Sequence, residues 1–150
     1  MSFIAGIQRE HHELADGIDA LREAGDLIGE RPADVVIEHT ERALAFLRES
    51  LIPHARAEDE HLYPVVAGIL GAPEATRTMS RDHIEVARLT SHLERALEAS
   101  DLKAVRRLLY GLYHVVMLHF AKEEELYLPL LEQRLSKDQE AVLVHTMGTA

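Results

Sequence analysis

At 150 residues the chain has room for one domain with a single sizeable core, and its 47% hydrophobic content with only 5% aromatics and no Trp favours aliphatic helix packing over a β-sandwich. A formal net charge of −10 argues against nucleic acid and anionic membrane surfaces as partners. The absence of Cys excludes disulfides, thiolate metal sites, iron–sulfur clusters and Cys nucleophiles.

Four long periodic segments follow one another along the chain. The first carries an inner stripe of Ile4, Ile7, His11, Leu14, Ile18 and Leu21, and ends at the turn-forming GERPAD of residues 29–34. The second runs Ile37, Thr40, Leu44, Leu47, Leu51, His54, Glu58, His61, Val65. Pro53 is expected to kink it, and Pro64 to lie near its end. GAP at 71–73 makes the next turn, and the third stripe reads Met79, His83, Val86, Thr90, Leu93, Leu97. EASD at 98–101 offers Ser100 or Asp101 as an N-cap for the fourth, which reads Val105, Leu109, Leu112, Val116, His119, Glu123, Leu126, Leu130 and meets Pro129 near its end. Ser136 and Gln139 have capping-box spacing at the head of a short last helix. The pattern predicts an all-α protein, an up-down-up-down four-helix bundle over residues 1–132, followed by a short C-terminal helix or tail over 133–150. With no basic, apolar leader and no bilayer-length apolar run, the expected compartment is the cytoplasm.

Seven inner-stripe positions are polar in a way a core does not need: His11, His54, Glu58, His61, His83, His119 and Glu123. His12, His39, His92, His114 and His145 fall off the stripes, and Asp59, Glu60, Glu124 and Glu125 read as a solvated face. A single inward His is ordinarily a hydrogen-bonded core residue. Two buried carboxylates among several imidazoles, with no Lys or Arg on any stripe, instead call for cations. Residues four apart share a helix face with β-carbons about 6 Å apart, so His54 with Glu58 and His119 with Glu123 each offer a nitrogen and a carboxylate to one small volume. Two carboxylates can bridge two metal ions about 3.5–4 Å apart, with the imidazoles outside them.

An internal repeat supports that assignment. HARAEDEHLYP at 54–64 parallels HFAKEEELYLP at 119–129, and REHHE at 9–13 parallels RDHIE at 81–85. The chain reads as two hairpins of one design, each giving His and then His-x-x-x-Glu, and the second match selects His11 over His12. Imidazole and carboxylate donors suit iron, manganese or zinc, and spacing alone does not choose among them.

These motifs resemble the hemerythrin-like, or HHE cation-binding, domain family over roughly residues 1–132. The resemblance implies two iron ions, oxo- or hydroxo-bridged and preferred over manganese, that meet O2, peroxide or nitric oxide. The implied ligands are His11, His54, Glu58, His83, His119 and Glu123. Two departures argue against simple O2 carriage: Ala87 stands where the O2 carriers have a fifth His, and Glu123 replaces an Asp one residue further along. His61 and Tyr127 are candidates for an extra ligand or for a contact behind the ligands. The leading function is breakdown of small oxidants, catalase-like on peroxide or as a nitric oxide peroxidase. The alternatives are an O2 or nitric oxide binding protein or sensor, or an iron or oxygen store, without catalysis. Repair of iron–sulfur centres by iron donation ranks below both. The oligomeric state is not legible in the sequence.

Overall fold

The computed structural model describes residues 2–148, so the ends of the two expected units, Met1 and residues 149–150, lie outside the described residues. The described chain is all-helical, with a single bridge between Ile28 and Arg31 as its only β-type pairing. Helix α1 is Phe3–Leu27, capped by Ser2, whose hydroxyl accepts from the Ala5 N–H at 3.2 Å. Helix α2 covers residues 33–70 and closes on Gly71 at φ +66°, a left-handed position that glycine takes without strain. A 3₁₀ turn, Pro73–Thr76, leads into α3, Arg77–Glu98. Helix α4 covers residues 102–134, and of the two expected caps Asp101 is the one used, accepting from the Ala104 N–H at 3.1 Å. Helix α5, Lys137–Met147, begins with the expected capping box of Ser136 and Gln139. Helix α1 packs on α2 and α4, and α3 packs on the same two.

The three internal prolines shape α2 and α4 in a way the stripes do not anticipate. Pro53, Pro64 and Pro129 each stand two residues beyond a π turn, at Leu47–Leu51, Glu58–Leu62 and Glu123–Tyr127. The residue before each proline donates its N–H five residues back: Ile52 to Leu47, Tyr63 to Glu58, Leu128 to Glu123. A proline has no N–H for the carbonyl four residues back, and its ring collides with that carbonyl in a regular α-helix. A turn wider by one residue removes both problems. Pro64 and Pro129 therefore do not end their helices, which continue to Leu70 and Arg134.

The extra residue rotates everything downstream. Beyond Glu58, burial passes from the expected His61 and Val65 to Leu62, Tyr63 and Val66; beyond Glu123, it passes from Leu126 and Leu130 to Tyr127, Leu128 and Leu131. Leu126 is left 62% exposed. In α1 and α3, which have no such turn, the expected stripes hold, with only their end residues Ile4 and Leu97, and His83, short of full burial.

Two apolar clusters result. One is built on Leu14, Ile18, Leu51, Leu93, Leu112 and Val116, the other on Phe3, Ile7, Leu62, Met79, Tyr127 and Leu131. On every long helix the polar inward residues fall between a member of one cluster and a member of the other, so they form a layer across the interior. Helix α5 packs against the second cluster: Leu143 is buried there, and Glu140 accepts from the Phe3 N–H at 2.9 Å, satisfying a free donor of the first turn of α1.

Candidate metal centre

The layer gathers one imidazole from each long helix with the carboxylates of Glu58 and Glu123, both fully buried. It divides into two halves that the Glu pair joins. His11 Nε2 lies 3.5 Å from Glu123 Oε2, and His54 Nε2 lies 3.5 Å from Glu58 Oε2. On the other side, His83 Nε2 is 3.3 Å and His119 Nε2 3.8 Å from Glu58 Oε1, and His119 Nε2 also meets Glu123 Oε1. Each carboxylate thus turns one oxygen to a single His of the first hairpin, Glu58 to His54 and Glu123 to His11, and the other to the second hairpin. Two groups of ligand-type atoms, Glu58 with His83, His119 and Glu123, and His11 with His54 and Glu58, each converge within 4.8 Å.

Five atoms in this layer are buried without a hydrogen-bond partner: His11 Nε2, His54 Nε2, both oxygens of Glu58 and Glu123 Oε2. An unsatisfied buried polar atom costs about 1–3 kcal/mol, and more when it is charged. Five of them aimed at one volume, all nitrogen or carboxylate oxygen, fit cations of the iron, manganese or zinc class.

The outward sides of the imidazoles are equally ordered. His54 Nδ1 bonds Glu10 at 2.9 Å, His83 Nδ1 bonds Asp59 at 2.9 Å, His119 Nδ1 bonds Asp82 at 2.9 Å, and His11 Nδ1 bonds Glu124 at 3.1 Å. Each carboxylate is the chain neighbour of an inward ligand-type residue on the adjoining helix: Glu10 of His11, Asp59 of Glu58, Asp82 of His83, Glu124 of Glu123. The bonds therefore run α1 to α2, α2 to α3, α3 to α4, and α4 back to α1, a closed ring. Such a carboxylate keeps Nδ1 protonated and presents Nε2 inward as the metal-binding atom. Asp82 is held in turn by Lys122 at 2.6 Å.

Charge follows from this geometry. Burial opposes a charge on Glu58, yet its contacts with Glu123, His119, His54 and His83 hold it well below the usual carboxylate range. Burial likewise opposes protonation of His54 and His119, but Glu10 with Glu58, and Glu123 with Glu58, raise each of them to about 10. His11 is raised too, against its burial, chiefly by Glu123. The raised values of His54 and His119 favour their protonated form, a positive charge that bound cations would replace.

The sequence-based ligand candidates His11, His54, Glu58, His83, His119 and Glu123 all lie in the layer. His61 does not: the π turn rotates it to a half-exposed position beside Glu60, at 3.7 Å. Tyr127 is buried rather than solvent-facing, and its hydroxyl donates to the Ala75 carbonyl at 3.1 Å, away from the layer. The phenol that does reach the layer is Tyr63, which donates to Glu123 Oε1 at 2.8 Å and lies 3.0 Å from His119 Nε2. Burial and the two Glu charges push its pKa far above the ordinary value, so it is a neutral donor. Sequence reasoning missed Tyr63 and the four ring carboxylates, having assigned Asp59 and Glu124 to a solvated face. The signal for the ring was present, since Glu10 matches Asp82 and Asp59 matches Glu124 in the repeat.

Beside the layer lies a small cavity of about 20 Å³, where His54, Glu58, His83 and His119 face Leu51, Val86, Val116 and Phe120. No helix among the described residues is long and apolar enough to cross a membrane. Over residues 2–131 the chain matches the family model described as the hemerythrin HHE cation binding domain. No curated protein and no solved structure matches it.

Proposed function

The chain belongs to the hemerythrin HHE cation-binding domain family, and we propose that its buried layer holds two iron ions and turns over a small oxidant, by peroxide disproportionation or nitric oxide peroxidation. The observation that carries this reading is the division of labour in the Glu pair: Glu58 turns one oxygen to His54 and the other to His83 and His119, and Glu123 turns one oxygen to His11 and the other to His119. Each of two ions would then draw on the imidazole nitrogens of one His pair and on carboxylate oxygen from the Glu pair. The six residues are the proposed ligands, and the proposed frame is an up-down-up-down bundle over residues 1–132 with the last helix appended, in a cytoplasmic protein.

Iron held there supplies Lewis acidity and accepts or donates electrons. The chain supplies the rest. The carboxylate ring fixes the four imidazoles, so their geometry is set before any ligand arrives. Leu51, Val86, Val116 and Phe120 keep bulk water away, and the cavity of about 20 Å³ limits the reactant to a molecule of two to four atoms. The Tyr63 hydroxyl is placed to hold a proton at Glu123 Oε1, beside His83 and His119, where a reduced oxygen species would need one.

The test is metal analysis of the protein with its visible spectrum, before and after adding peroxide. About two irons per chain, with O2 evolved over many turnovers, is the expected result. Two irons that bleach without turnover would replace catalysis by binding, as in a sensor or store. A folded protein with no metal would refute the reading.

A further inference from the structure

The cavity beside the layer is narrower and more enclosed than the two surface grooves that come up against it. On the α1–α4 side a wide groove of about 640 Å³ ends on His11 and Phe120. On the α2–α3 side a smaller one, about 210 Å³, ends on Ala55, His83 and Val86. Phe120 is the one residue that lines both the large groove and the cavity. We infer that Phe120 is the gate of this centre: small uncharged reactants come along the α1–α4 groove and pass when its ring swings into the groove. This inference rests on the metal centre proposed above.

Three features single out that wall. The Phe120 ring is only partly buried and borders open space, and it is held by stacking on His11, with centroids 4.2 Å apart and planes 15° from parallel. Turning such a ring to another rotamer opens the wall without moving backbone. The opposite wall has no such element. Ala55, which stands at the repeat position equivalent to Phe120, has a methyl that cannot rotate aside; Val86 is buried; and His83 is pinned by Asp59 at 2.9 Å. The groove also selects by charge. Asp19, Glu124 and Glu125 line it, and no Lys or Arg does, so it repels anions and leaves O2, nitric oxide or hydrogen peroxide unhindered.

The experiment is stopped-flow binding of nitric oxide to the iron-loaded, reduced protein, with iron content measured first. Phe120→Ala should raise the association rate at least about tenfold, because a rearrangement that limits binding is removed. The dissociation rate should rise by the same factor and leave Kd unchanged, since a gate alters passage in both directions equally. Phe120→Trp should slow both rates, and Ile84→Ala, which widens the smaller groove without touching the cavity, should leave them within about twofold. Phe120→Leu serves if the Ala variant does not fold. Full iron loading with rates unmoved by Phe120 would overturn the gate alone, as would a changed Kd with an unchanged association rate, or an Ile84→Ala variant that speeds binding as much. Failure to load iron would overturn both the gate and the centre.

Discussion

Asp82→Asn tests whether the outer carboxylate ring tunes the centre or merely decorates it. Asp82 accepts from His119 Nδ1 at 2.9 Å and from Lys122 at 2.6 Å, and it is about three-quarters buried by its side-chain exposure of 24%. Asn keeps the size and one acceptor oxygen, so the ring can still be oriented, but the charge behind it is gone. For the fold the loss is small, since an ion pair with the partly exposed Lys122, still open to screening by water, contributes about 1 kcal/mol. For the metal it is larger, because removing the partner behind a ligating His typically lowers affinity 10–100-fold, about 1.4–2.7 kcal/mol. The expected result is thus one ion of the two bound 10–100-fold more weakly, with unfolding shifted by no more than about 1 kcal/mol. Chelator competition on the loaded protein, read as two separate release steps, measures the first quantity; urea unfolding measures the second. Glu10→Gln should weaken the other ion instead, through His54, and by less, because Glu10 is more exposed and has no lysine behind it. Equal loss at both positions from either substitution, or affinity unchanged within about twofold, would refute the ring argument.

Glu58→Leu should release metal from both halves, whereas His11→Ala should cost one ion only, because Glu58 faces both His pairs and His11 only one. Metal content per chain decides this, and a Glu58→Leu protein that still holds two ions would sink the bridging assignment. Tyr63→Phe should leave metal content unchanged and lower peroxide turnover, since it removes only the hydroxyl on Glu123; unchanged turnover would remove Tyr63 from the chemistry. The metal-free protein should be most stable in mildly acidic solution. His54 and His119, raised from 6.5 to about 10, contribute stability that is complete below pH 6.5 and lost as pH rises through about 10. Glu58, lowered, contributes above 4.5 and loses that contribution as pH falls through its folded value. Urea midpoints across pH check the sign. Loading at pH 8 should also release protons from both imidazoles, seen by calorimetry in buffers of different ionisation heat, and metal uptake without proton release would contradict those shifts.

How far the sequence carried the site depends on where the helices stay regular. In α1 and α3 every turn is α-helical from cap to cap, so His11 and His83 could be placed on the inner face by counting. In α2 and α4 counting placed His54, Glu58, His119 and Glu123 on the inner face and failed just beyond them, where π turns begin; near the start of α2 it was also one residue off, with Val36 and Ala43 buried in place of Ile37 and Leu44. The failure has a local cause that was visible in the chain. Each of these Glu residues stands six before a proline, and the proline forces the widened turn. With that turn in place, residue i+5 rather than i+4 returns to the face of residue i. The position is Tyr63 after Glu58 and Leu128 after Glu123, and both are buried. Read this way, the two hairpins are alike in their ligands and unlike one step behind them. The first hairpin puts a phenol there and the second an aliphatic side chain. At the residue after each His the pair is reversed, Ala55 in the first hairpin and Phe120 in the second. Both differences act on opposite halves of one layer: Phe120 stacks on His11, while the Tyr63 hydroxyl reaches His83 and His119. The repeat supplies a symmetric cage for cations, and these two substitutions within it separate a side through which a reactant arrives from a side that holds a proton for it.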